Sequence, residues 1–303
     1  MAAARIQFSL ADVDDPRRDV ARRIGLAGGP WDMAVINGRA RRFWTRSAGG
    51  FSLKWMAEGR ACYRLERRPH TVSRTAAVLV DHDQPYEMEF EGRGASQSFC
   101  LFYSKALVAD AWASVEAGFD PGPAPAGLRG FPNVVFQPSE RLAGILAGLA
   151  EDGPNADAGQ METRLLLALA DAVETAHGHR GVARRLPAVK AVTRAHLLGL
   201  IERARIMIAE ADGIGITLDD LAAQAGLSKF HFLRLFKRAH GQSPLAYAED
   251  RRLLAAQARL RSTRQPIGEI AAGLGYESPS AFAKAFRRHT GAAPTAFRAA
   301  SVN

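Results

Sequence analysis

The last third of the chain contains one pattern written twice. Residues 218–244 read LDDLAAQAGLSKFHFLRLFKRAHGQSP, and residues 267–294 read IGEIAAGLGYESPSAFAKAFRRHTGAAP. Leu218, Leu221, Ala222 and Gly226 match Ile267, Ile270, Ala271 and Gly275 at a spacing of 49 residues. Ser228, Phe232, Phe236, Gly241 and Pro244 match Ser278, Phe282, Phe286, Gly291 and Pro294 at a spacing of 50. The one-residue slip falls between two helical patterns. Each copy therefore reads as a short helix, a tight turn and a longer helix capped by serine, which is a helix-turn-helix. Thr217, followed three residues later by Asp220, resembles a capping box at the start of the first copy.

Helical periodicity sorts the second helix of each copy into two faces. In the first, Phe232, Leu235 and Phe236 stand at i, i+3 and i+4 and are expected to face a core. Phe230, Leu233, Arg234 and Lys237, with Lys229 at the start, occupy the opposite face. In the second copy Phe282, Ala285 and Phe286 point inward, and Ser280, Ala283, Lys284 and Arg287 point outward. Ala222 and Ala271 are small where two helices must cross closely. A helix that presents cations and short side chains fits the major groove of DNA, about 12 Å wide. On that reading Arg234 suits guanine edges, Phe230 and Leu233 suit thymine methyls, and Lys237 and Arg287 suit phosphates. Between the copies lies PLAYAEDRRLLAAQARLRST, a helical stretch of about 18 residues and hence roughly 27 Å. A rigid spacer of that length suits two readers one DNA turn apart, about 34 Å.

Charge follows the same division. Residues 193–303 hold 16 Lys and Arg against 9 Asp and Glu, a net +7, and residues 1–192 hold 24 against 22, a net +2. A basic surface concentrated in one segment favours a polyanion such as nucleic acid. The 303-residue length suggests two domains, and two cysteines provide neither a disulfide framework nor metal-ligand spacing. No run of about 18 apolar residues is present for a membrane span, and MAAARIQFSL lacks an apolar signal core. The expected location is therefore the cytoplasm, with no membrane partner.

Residues 31–103 alternate short apolar runs with turn residues. FSLKWM, ACYRLE, AAVLVD, YEMEF and SQSFCLFY read as strands, and their spacing suggests a small sandwich or barrel. Helices are expected at 105–117, 139–151 and 160–177, with a Pro- and Gly-rich connector, DPGPAPAGLRGFP, after the first. Residues 178–191 are basic and glycine-bearing and read as a linker. His70, His82, Glu87 and Glu89 provide no His-x-His pair, so metal catalysis is not expected and no cofactor is inferred. Trp55, Tyr63 and Tyr86 alternate with smaller residues in the strands, and Arg60 and Arg64 sit in a basic run beside them. These five are the candidate ligand-contacting residues.

The last ~100 residues resemble the DNA-binding domain of the AraC/XylS family of bacterial transcription regulators. The resemblance is carried by LSKFHFLRLFKRAHGQSP, by the bridging helix with Tyr247, Arg252, Leu253, Ala256 and Leu260, and by PIGEIAAGLGYESPSAFAKAFRRHTGAAPTAFR. Lys284 and Arg259 depart from it, since many members carry arginine and leucine there. RTAAVLVDHDQPYEMEF is similar to the cupin-type barrel that precedes this domain in many members. The implied fold is α+β in two domains: an N-terminal cupin-like β-barrel with flanking helices, and a C-terminal all-α domain with two helix-turn-helix units joined by a long helix. The implied division is 1–178 for effector binding or dimerisation, 179–192 as linker and 193–303 for DNA.

By position, the resemblance assigns base-facing roles to Lys229, Phe230, Leu233 and Arg234, then to Ser280, Ala283 and Lys284. Its implied partners are promoter DNA, RNA polymerase, a small-molecule effector and a second copy of the chain. The implied function is an effector-responsive activator. The alternatives are a repressor, a regulator governed by a protein partner, or a metal-dependent cupin enzyme fused to a DNA-binding domain. Ala281 and Ala283 leave the second reader short of hydrogen-bonding groups, so sequence specificity is expected to rest on the first unit.

Overall fold

A computed structural model describes residues 6–12, 31–92, 94–117, 135–152, 157–188 and 190–301. The connector DPGPAPAGLRGFP lies outside the described residues. Strands come first: β1 Ile6–Asp12, β2 Met33–Ala40, β3 Trp44–Ser47, β4 Phe51–Glu58, β5 Arg60–Leu65, β6 Arg68–Val72, β7 Ala77–Val80, β8 Tyr86–Glu91 and β9 Ser96–Tyr103. Helix α1, Lys105–Ala117, and the short strand β10, Val135–Phe136, follow. From Glu140 onward every described element is helical: α2 Glu140–Asp152, α3 Ala158–Arg185, α4 Ala191–Glu210, α5 Leu218–Ala225, α6 Lys229–His240, α7 Pro244–Ser262, α8 Ile267–Gly273, α9 Pro279–Thr290 and α10 Pro294–Ser301. The chain is thus α+β and separates into two compact units, Met1–Glu202 and Arg203–Asn303.

In the first unit the strands form two sheets and not one closed barrel. One sheet has the order β1-β2-β9-β4-β7-β10, the other β3-β8-β5-β6. Of the sandwich and the barrel that the strand spacing allows, the sandwich is the one formed: each ladder is complete within its own sheet, and side chains, not hydrogen-bonded strands, close the gap. Alternation along β4 and β9 shows how the larger sheet is used. Phe51, Leu53 and Trp55 with Phe99, Leu101 and Tyr103 join Leu142, Leu146, Leu165 and Leu169 in one buried cluster with α2 and α3. Tyr103 Oη donates to the carbonyl of Leu165 at 3.0 Å, so this buried hydroxyl is satisfied. Ser52, Lys54, Cys100 and Phe102 alternate with these residues and face the other sheet. Tyr63 Oη lies 3.9 Å from Cys100 Sγ across the gap. Gly59 turns the chain from β4 to β5 at φ 74°, and a Cβ there would lie 2.2 Å from Ser96 Oγ, so only glycine fits.

Two expectations shift. Helix α3 runs on to Arg185 through Gly178 and Gly181, into the stretch read as a linker. Buried Ala176 and His179 continue its inward face past the residues whose leucine pattern made it legible. Met33–Ala40 and Trp44–Ser47 are strands although their sequence carries a weaker strand pattern. Pairing explains the first: β2 is held between β1, in parallel, and β9, antiparallel.

In the second unit the two copies of the repeat assemble on the bridging helix α7. Leu253, Ala256 and Leu260 of α7 pack with Ile270, Ala271, Leu274, Phe282, Ala285 and Phe286. At the entry to this unit, Gly213 at φ 72° comes so close to α7 that an added Cβ would meet the carbonyl oxygen of Ala248 at 2.1 Å.

Candidate DNA-binding surface

Each copy is built by the same local rules. At the end of α5, the amide of Leu227 donates to the carbonyl of Ala222 at 3.0 Å and that of Gly226 to Ala223 at 3.0 Å. At the end of α8, Tyr276 donates to Ala271 at 3.1 Å and Gly275 to Ala272 at 3.0 Å. Both are Schellman closures, and they require the left-handed glycines, Gly226 at φ 64° and Gly275 at φ 77°. The slip in the repeat is visible at this point. The second copy carries one more residue, Glu277, between its closure and the serine that caps the next helix.

The two longer helices then start alike. Ser228 Oγ accepts from His231 N at 3.3 Å, and Ser278 Oγ accepts from Ala281 N at 3.2 Å. They also end alike, at Gly241 and Gly291, both left-handed. Lys237, Arg238 and His240 in α6, and Arg287, Arg288 and His289 in α9, fill the last turns, where positive charge suits the helix dipole.

Burial sorts the side chains as periodicity predicts. Phe232, Leu235 and Phe236 are fully buried, as are Phe282 and Phe286, and Ala285 is buried beside them. The ring pairs are superposable in kind: Phe232 and Phe236 stand 5.8 Å apart, Phe282 and Phe286 5.5 Å. Ala222 and Ala271 are buried where the short helix meets the long one. On the opposite faces, Lys229, Arg234, Lys237, Ser280, Lys284 and Arg287 are exposed, and Leu233 and Ala283 are half-buried. Phe230 is 86% exposed, an unusual place for a phenylalanine that no part of its own unit covers. Lys229 ion-pairs with Asp219 of the preceding helix, which holds its ammonium at the start of α6.

The short helices differ. Thr217 and Asp220 form a complete capping box: Thr217 N donates to Asp220 Oδ2 at 3.1 Å, and Asp220 N donates to Thr217 Oγ1 at 3.2 Å. The Thr217 hydroxyl also donates to Asp220 Oδ2 at 2.6 Å. These bonds, the side-chain one first, hold the Asp220 carboxyl below its ordinary range. In the second copy Pro266 occupies the cap position and makes no side-chain cap bond.

Of the five candidate ligand-contacting residues, only Tyr63 and Tyr86 are brought together. Trp55 belongs to the helix-facing core, with its Nε1 donating to the carbonyl of Arg74 at 2.9 Å. Arg60 and Arg64 are exposed on the outer side of β5, and Arg64 lies 3.6 Å from Glu89. Tyr63 and Tyr86 do face the interior, with ring centroids 5.8 Å apart. Strand alternation explains the split, because inward residues on β5 are Ala61, Tyr63 and Leu65. Among the described residues no group of three His, Cys, Asp or Glu could hold a metal ion, and no helix is long and apolar enough to cross a membrane.

Two helix-turn-helix units on one bridging helix, each with an exposed basic column, define a DNA-binding transcription regulator. A helix-turn-helix domain model matches residues 221–300. Over 83 residues the chain is 37% identical to the regulatory protein SoxS of Salmonella typhimurium, spanning 27% of this chain and 78% of SoxS. Over 86 residues it is 37% identical to the transcriptional regulator Rob of the same organism, spanning 28% of this chain and 30% of Rob. Among solved structures, the DNA-binding domain of AdpA in complex with a target DNA is 32% identical, covering 33% of this chain and 90% of that one, with a TM-score of 0.32. The chain belongs to the AraC/XylS family of transcription regulators.

Proposed function

We propose that this regulator is an effector-responsive activator that inserts α6 and α9 into adjacent major grooves of promoter DNA. In this reading Lys229, Phe230, Leu233, Arg234 and Lys237 face DNA from the first unit, and Ser280, Ala283, Lys284 and Arg287 from the second. Arg234 reads guanine, the apolar pair Phe230 and Leu233 contacts thymine methyls, and Lys237 and Arg287 neutralise phosphates. Residues 193–303 carry the DNA contacts, and residues 1–178 carry effector binding or dimerisation. The protein works in the cytoplasm, without catalysis, and its output is contact with RNA polymerase.

The observation that carries the reading is the pair of outward columns set opposite fully buried phenylalanines in both copies. A solvated face needs cations but no exposed Phe230. A core face needs phenylalanine but no Arg234 or Lys237.

The test is a titration of full-length protein against operator DNA at several salt concentrations. Two inserted helices touching six or more phosphates give a log–log slope of about −5 or steeper, since each neutralised phosphate contributes roughly −0.9. A slope near −2 would contradict two inserted readers and leave one.

A further inference from the structure

We propose that the space between the two sheets of the first unit is a binding site for a small monocarboxylate with an apolar body, anchored by Lys54. The proposal rests on the reading of residues 1–178 as the effector domain, and it names the chemistry of the effector.

Lys54 is completely buried, on the inter-sheet side of β4. Its ammonium meets no carboxylate among the described residues. Its polar partner is Tyr86 Oη at 3.3 Å. Otherwise it rests on ring faces, 3.9 Å from the centroid of Phe102 and 4.9 Å from that of Tyr86. Ring faces attract a desolvated cation by less than it costs to remove an ammonium from water. Buried charges in proteins are ordinarily paired, so this one is short of an anion.

The neighbouring groups point the same way. Ser52, two residues back on the same face of β4, has a buried hydroxyl with no hydrogen-bond partner. Trp31, packed with Phe102 and Cys100, has a buried Nε1 with no partner. An indole N–H is a donor only. Lys54 and Trp31 both pack with Phe102, and Ser52 stands opposite Phe102 in the β4–β9 ladder, so a cation, an indole N–H and a hydroxyl short of partners call for a ligand that supplies oxygen lone pairs. One positive charge matches one negative charge, which selects a carboxylate over a doubly charged phosphate. The surrounding Trp31, Phe102 and Tyr86 rings suit an aliphatic or aryl body.

The experiment uses full-length protein and matched pairs of probes: phenylacetate with phenylacetamide, and hexanoate with hexanamide. Melting temperature is followed against probe concentration, and operator binding is measured on the same samples. The expected result is a saturable rise with at least one carboxylate, about 5 °C at a hundredfold excess over its Kd, and at most a tenth of that with its amide. Lys54→Met removes the selectivity for the anion, and Ser52→Ala weakens it several-fold. Equal stabilisation by acid and amide, no saturable stabilisation by either acid, or full selectivity in Lys54→Met overturns the proposal. The acid-against-amide comparison needs no variant, so misfolding of Lys54→Met does not blunt it. Loss of selectivity with operator binding intact defeats the ligand assignment alone. Absence of operator binding in wild-type protein defeats the regulator reading and leaves the carboxylate result standing.

Discussion

The two helix-turn-helix units share a scaffold and differ in their chemistry. Both close the turn with a Schellman pair onto Ala222 or Ala271, start the long helix on a serine and stop it on a left-handed glycine. Both bury a phenylalanine pair one turn apart. What differs lies on the surface. The first unit presents Lys229, Phe230, Leu233 and Arg234, where the second presents Pro279, Ser280, Ala283 and Lys284. Their ties to the bridging helix differ in kind: Arg288 of the second unit donates to Glu249 at 2.9 Å, whereas Phe236 of the first packs against Tyr247 with ring centroids 6.0 Å apart. Folding physics thus constrained the inward half of the repeat twice over, and left the outward half free to diverge. A reader rich in hydrogen-bond donors beside a chemically plainer one is the arrangement expected when the first specifies sequence and the second fixes position on the duplex.

The largest effects should be symmetric between the units, because the cores are. Phe232→Ala and Phe282→Ala each remove a fully buried ring, and each is expected to lower stability by about 3–5 kcal/mol in denaturant unfolding of the full chain. A cost below about 1 kcal/mol at either site would break the equivalence of the two cores. Next come the serine caps. Ser228→Ala and Ser278→Ala are each expected to cost about 1 kcal/mol, and a twofold or greater disparity would show that one cap is redundant.

The smallest effect should be asymmetric. Asp220 has a carboxyl held below its ordinary range by Thr217, so its cap contributes above the unfolded carboxyl pKa, near 4, and is lost as pH falls through the depressed folded value. Its counterpart Glu269 stands three residues after Pro266, which has neither hydroxyl nor N–H to return the bond. Asp220→Asn should therefore flatten the decline in melting temperature between pH 5 and 3. An undiminished decline in that variant would contradict the capping geometry.

The C-terminal unit was legible because its signals are local. Ala222, Gly226, Ser228 and Phe232 each do their work within a few residues of their own position, and the second copy repeats them. The N-terminal unit depends on pairing between distant strands, and there the reading weakened. Strand positions are recoverable from turns, but not which ladders form, so the spacing leaves a sandwich and a barrel both open where two sheets face each other. The same limit leaves the five candidate ligand-contacting residues on different faces of the sheets. Trp55 and Lys54 are adjacent in sequence, yet alternation sends Trp55 to the helices and Lys54 between the sheets. A lysine in the run FSLKWM, a strand apolar at four of six positions, was the available signal, since a charged residue inside a buried strand is rarely idle. Trp31 and Ser52 carried no such mark, because an unpartnered N–H or hydroxyl is a property of the packed structure.

The division of labour between the two readers is tested most directly by comparing Arg234→Ala with Lys284→Ala across a set of single-base variants of the operator. Arg234→Ala is expected to lose about 1–3 kcal/mol of discrimination at one base pair, while Lys284→Ala weakens all variants nearly equally and lowers the salt slope by about 1. A larger loss of discrimination in Lys284→Ala than in Arg234→Ala would contradict the account.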